Sequence, residues 1–117
     1  MDRIIEINGV ELSFDFTDAD TIDLFERALS KTQQILAEDM NSLTRSDAIR
    51  KCCYSVFDFF NTVFGEGTDK EIFGGRCSLN DCIDALAVVV GEANRQRQAL
   101  TDKRVQYSPN RAQRRQA

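Results

Sequence analysis

Apolar and polar residues alternate from Ile5 to Phe16 about the dipeptide Asn8-Gly9, and few backbone arrangements accommodate that pattern. Asn and Gly tolerate the positive φ angles that a type I′ turn needs at both central positions, so the segment predicts a tight antiparallel hairpin. A two-residue turn sets Ile7 opposite Val10 and Ile5 opposite Leu12, and the period of two carries Phe14 and Phe16 onto the same face. Glu6, Glu11, Ser13 and Asp15 line the other face. A two-stranded ribbon is marginal in water, so this one must lean on a helix or pair its free edge, and pairing with a second copy would make a homo-oligomer.

Beyond the hairpin the period changes to that of a helix. Thr17-Asp18-Ala19-Asp20 offers a hydroxyl or carboxylate cap and acids for the first turn. Ile22, Phe25, Ala28, Leu29, Thr32, Ile35 and Leu36 then recur at spacings of three and four, which predicts an amphipathic helix to about Asp39. A second helix is expected from Thr44–Asp47, with Ile49, Cys52, Cys53, Val56, Phe57, Phe60, Val63 and Phe64 in register and Phe59 on the flank, until Gly65 and Gly67 end it. Its apolar arc is wider than one neighbour needs, so it reads as the central helix, each buried Phe contributing roughly 1.5 to 3 kcal/mol. Thr68-Asp69-Lys70-Glu71 has capping-box spacing and opens a single turn carrying Ile72 and Phe73 before Gly74-Gly75. Ser78 caps a third long helix through Leu79, Cys82, Ile83, Leu86, Val90, Ala93, Arg97 and Leu100, whose seam turns polar after Ala93 and is expected to project past the core there. The fold class implied is mainly α, a small α+β domain over residues 1–102: an N-terminal β-hairpin, a three-helix bundle and a short extra helical turn. Residues 103–117 read as a basic, flexible C-terminal tail.

The charges divide the same way. Residues 1–102 hold all nineteen acids and ten of the fifteen basic residues, whereas residues 103–117 hold five basic residues, Lys103, Arg104, Arg111, Arg114 and Arg115, and no acid. An acidic body repels phosphate over much of its surface, which disfavours nucleic acid as a partner and leaves only the tail to attract it. No apolar run reaches the length of about 20 residues that spans a bilayer, and Met1-Asp2-Arg3 does not open a signal core, so no membrane partner is expected and the chain reads as cytoplasmic.

Reaction chemistry finds little foothold. The chain has no histidine, which removes the commonest general base and the commonest metal ligand. Cys52, Cys53, Cys77 and Cys82 lack zinc-clamp spacing and a secretory context, and they read as free buried thiols rather than as disulfides, a zinc site or a nucleophile. Asp15, Asp18, Asp20 and Asp23 lack the glycine and distal glutamate of a calcium loop and serve better as caps and dipole partners. Gly65-Glu66-Gly67-Thr68 has no lysine placed to cradle phosphate. The expectation is a non-enzymatic protein with no catalytic residue, no cofactor and no metal. What remains is a protein-binding module: Phe57, Phe59, Phe60, Phe64, Ile72 and Phe73 are core residues first, but their breadth around the helix makes them the expected region of a partner-contact surface.

At Phe64-Gly65-Glu66-Gly67-Thr68-Asp69-Lys70-Glu71-Ile72-Phe73-Gly74-Gly75, followed by a capped helix and Asn110-Arg111-Ala112-Gln113-Arg114-Arg115, the chain resembles the tail assembly chaperones of long-tailed bacteriophages (siphophages) and prophages of Gram-positive hosts. The order hairpin, helix, Phe-rich helix, glycine-bounded turn, helix, basic tail agrees as well. The resemblance implies a cytoplasmic helper in virion morphogenesis that binds the tape measure protein, keeps it soluble, yields to polymerising tail tube subunits and is absent from the mature virion. It also implies that a frameshifted longer form recruits the major tail tube protein. The alternative reading is a small helical nucleic-acid-binding regulator of phage or mobile-element origin, acting through the basic tail.

Overall fold

In a computed structural model of the chain, residues 4–108 are described. Strands β1 (Ile4–Ile7) and β2 (Val10–Ser13) form an antiparallel hairpin, followed by helices α1 (Ala19–Leu36), α2 (Arg45–Phe64), α3 (Thr68–Phe73) and α4 (Leu79–Gln106). The fold is a small, mostly helical α+β arrangement, as the periodicities imply. The hairpin has the expected register, Ile7 with Val10, Ile5 with Leu12 and Glu6 with Glu11. Asn8 and Gly9 supply φ angles of 52° and 80°, the pair that a type I′ turn requires. The Asn8 carboxamide also donates to the carbonyl of Ile72 at 3.1 Å, tying the turn to α3.

Three of the expected caps are in place. Asp18 accepts the Thr21 N–H, Thr44 accepts the Asp47 N–H, and Ser78 accepts the Asp81 N–H. At α3 the structure differs from the capping-box expectation. Gly67, left-handed at φ 89°, is the N-cap and Thr68 lies inside the first turn, its hydroxyl donating to the Gly65 carbonyl. The missing acceptor comes from α2 instead, where Asn61 Oδ1 receives the Asp69 N–H at 3.0 Å. α1 also ends at Leu36 rather than near Asp39, because Ala37 closes the last turn and the Asp39 carboxylate turns to the Asn41 N–H.

α2 is the axis. Antiparallel α1 covers one side, with Phe25 against Phe59, Thr32 Oγ1 donating to the Ser55 carbonyl, and Lys51 reaching Glu38. α4 covers another, where Cys53 meets Cys82 with both thiols sealed from solvent. Ile5, Ile7, Leu12 and Phe16 of the hairpin close the core. Aromatic rings knit these elements: Phe16 stacks edge-on against Phe25 at 4.9 Å, Phe14 meets Phe64 at 4.9 Å, and Phe73 of α3 reaches both Phe57 and Phe60.

α4 departs from the sequence reading in two respects. It continues over Lys103 and Arg104 to Gln106, so the helix crosses the boundary expected at residue 102. Residues 99–106 contain no helix breaker, and the two cations suit the negative end of the helix dipole. The core contact also runs further than Ala93. Gln96 is 1% exposed: its Oε1 accepts the Phe16 N–H at 2.8 Å, and its Nε2 donates to the Phe14 carbonyl and to Glu92. A polar residue sits in the seam because the chain leaving β2 presents unpaired backbone groups there.

All four cysteines are free. Burial pushes the Cys52, Cys53 and Cys82 thiols up from the ordinary range, and for Cys82 the hydrogen bond to Cys53 adds to it.

Three outcomes follow from this packing. Phe60→Ala should destabilise by about 3 to 5 kcal/mol, read from chemical denaturation, since the ring is wholly enclosed. Gln96→Leu should cost about 1 to 3 kcal/mol by stranding the Phe16 N–H. In native protein at neutral pH, iodoacetamide should label half-buried Cys77 well before Cys53 and Cys82, and denaturant should abolish the difference, as counted by mass spectrometry.

Candidate functional site

The phenylalanine-rich region expected to carry the contact surface lies inside the molecule. Phe57, Phe59, Phe60, Ile72 and Phe73 are all buried, and Phe64 is half-buried beneath Phe14 and Phe60. The expectation of an aromatic patch left over for a partner is therefore corrected. Four neighbours enclose the wide arc of α2, because the hairpin and α3 cover the sectors that α1 and α4 leave open. Of the basic tail residues, Lys103 and Arg104 project from the exposed last turns of α4, and Arg111, Arg114 and Arg115 lie outside the described residues.

An open apolar surface exists elsewhere, between α1 and α2. The floor of this groove is Ala28, Thr32, Ser55 and Phe59, and the last three of these are buried. Small side chains at Ala28, Thr32 and Ser55 let the two helices approach closely, so a furrow of about 210 Å³ runs above them. Its polar floor atoms are already satisfied: Thr32 donates to the Ser55 carbonyl and Ser55 Oγ donates to the Cys52 carbonyl. The floor therefore asks nothing polar of an occupant. Leu24, 40% exposed, and half-buried Ile35 add apolar surface at the two ends. From Leu24 to Ile35 is three helical turns, roughly 16 Å.

Charge frames the furrow asymmetrically. Arg27 and Lys31 stand on the α1 rim and Asp58 on the α2 rim. Arg27 is held by Asp23 at 2.8 Å, whereas neither Lys31 nor Asp58 has an ion-pair partner among the described residues. A second depression, between β1 and the start of α4, is lined by Glu6, Asp81 and Asp84 around Ala85 and Val88. Among the described residues no group of three His, Cys, Asp or Glu is placed to hold a metal ion, and no helix is long and apolar enough to cross a membrane.

Sequence reasoning placed Ala28, Thr32 and Ile35 on the core face of α1 and left Leu24, Ser55, Asp58 and Thr62 unremarked. The signal available was the small residues at Ala28, Thr32, Ser55 and Thr62, which recur at helical spacing on both helices and leave a furrow above their contact. Gln96 and Asn61, which fix the hairpin and α3, carried no signal that distinguishes them from solvated amides.

No curated protein and no solved structure gives a significant match to the chain. A family model does match, over residues 8–117, and it spans the hairpin's second strand and every helix. The chain therefore belongs to DUF6673, a family of unknown function.

Proposed function

We propose that the protein is a non-enzymatic helper that holds a helix of another protein in the α1–α2 groove, and that it acts as a tail assembly chaperone for the tape measure protein of a long-tailed phage or prophage. The groove carries this reading. It is a largely apolar furrow three turns long, its floor hydroxyls already hydrogen-bonded and its mouth open, which is the form of site that receives the i, i+3, i+4, i+7 ridge of an amphipathic helix. Lys31 on one rim and Asp58 on the other favour a ridge flanked by acid on its α1 side and by base on its α2 side. A long helical client with a bare apolar stripe needs such cover, and an acidic body keeps the covered complex dispersed. The order of elements, with its glycine-bounded turn before the last helix, supports the chaperone assignment by likeness.

On this reading the protein works in the host cytoplasm, releases its client to tail tube subunits and does not enter the virion. Recruitment of the tube protein would belong to a longer, frameshifted product. The acidic body weighs against the nucleic-acid-binding alternative.

Co-expression with the tape measure protein of the same phage or prophage should render that protein soluble and bring it through purification with this chain. Leu24→Asp, at an exposed position where folding changes by no more than about 0.5 kcal/mol, should abolish the co-purification. Undiminished capture by the variant, or a client equally soluble without the chaperone, would overturn the assignment.

A further inference from the structure

The face of α4 turned away from the core repeats through Asn80, Asp84, Ala87, Gly91, Asn94 and Gln98, all exposed. The solvent face of a surface helix ordinarily carries charged or polar residues along its whole length. Here the exposed positions between Asp84 and Arg95 are Ala87, Val88, Gly91 and Asn94, none of them charged, and Val88 is 44% exposed. Ile83 adds a further exposed apolar side chain at 40%. Gly91 has no reason within its own chain: a Cβ built on it meets nothing within 4 Å, and its φ is not positive. Glycine weakens a helix interior, and its presence without a local need points to close approach by something outside the chain.

The charges identify that neighbour. Asp81 and Asp84 precede the uncharged exposed positions and Arg95 and Arg97 follow them, while Glu92 between them is turned largely out of solvent and pairs with Arg95. The outward line is also symmetric about residue 89, with Asn80 and Gln98, Asp84 and Asn94, and Ala87 and Gly91 equally distant from it. We infer that α4 pairs with α4 of a second copy, antiparallel about a two-fold axis, with Ala87 against Gly91 of the partner and Asp84 against Arg95 of the partner.

Antiparallel packing brings opposite charges together twice and opposes the helix dipoles favourably, whereas parallel packing would set Asp84 on Asp84 and Arg95 on Arg95. Glu6 and Asp81, which share the depression with Asp84, deepen the negative potential that receives the incoming guanidinium. Arg95 engages Glu92 through Nε and one terminal nitrogen, leaving further N–H groups to donate. The hairpin's free edge is a poorer seat for a second copy, since a two-fold strand pairing would crowd Glu11 of both copies beside the existing Glu6–Glu11 pair. The contact uses neither α1 nor α2, so a dimer presents two client grooves at once and gains avidity for one long helix.

Sedimentation velocity of the full chain over a concentration series tests the pairing. A reversible monomer–dimer equilibrium is expected. Gly91→Leu, which has open space in the monomer, should keep or raise the melting temperature while weakening the dimer by about tenfold or more. Asp84→Arg and Arg95→Asp should each be monomeric alone and should form a heterodimer when mixed, because every facing pair then has opposite sign. A strict monomer at the highest soluble concentration, a Gly91→Leu protein that dimerises like the parent, or a mixture that fails to associate would overturn the inference.

Discussion

Eight phenylalanines hold this chain together, and six of them close a circuit. Phe14 meets Phe16, Phe16 meets Phe25, Phe25 meets Phe59, Phe59 meets Phe60, Phe60 meets Phe64, and Phe64 returns to Phe14, with centroid separations of 4.8 to 5.8 Å. The circuit passes through the exit of the hairpin, α1 and α2. Phe73 attaches α3 to it through Phe60, and Phe57 joins through Phe73. Each such pair is worth about 0.5 to 1.5 kcal/mol beyond the burial of its area. Neither the two-stranded ribbon nor the six-residue α3 has the length to persist alone, so both exist because the rings give them something to lie on.

Local rules wrote much of this plainly. The alternation about Asn8-Gly9 dictates the register of the hairpin, and Asp18, Thr44 and Ser78 stand where a cap is needed. The division of the aromatic rings between core and surface was not legible, because it depends on how many neighbours α2 acquires. Periodicity reports which side of a helix is greasy but not how much of that side the remaining chain can reach. The full extent of α4 was obscured for a related reason. The polar run after Ala93 looks like a departure from the core, yet Gln96 is drawn inside by backbone groups eighty residues earlier in the chain.

With the phenylalanine rings largely enclosed, the two surfaces proposed for association centre on small residues flanked by Leu24, Ile83 and Val88. The α1–α2 groove owes its depth to Ala28, Thr32 and Ser55, and the outward face of α4 owes its flatness to Ala87 and Gly91. Small side chains at their centres let another backbone come near. Stability and availability are thus assigned to different residue classes, aromatic for the first and small for the second.

The clamp formed by Gln96 imposes an order of events during synthesis. The ribbon leaves the ribosome well before α4, yet the acceptor and donor that secure its far end belong to a side chain some eighty residues later. Until that glutamine emerges, the ribbon is held by its ring contacts and by Asn8, while the Phe14 carbonyl and Phe16 N–H lack the partner that Gln96 supplies. The last backbone groups of the ribbon are thus sealed by a distant part of the sequence, so its closure is coupled to the docking of α4.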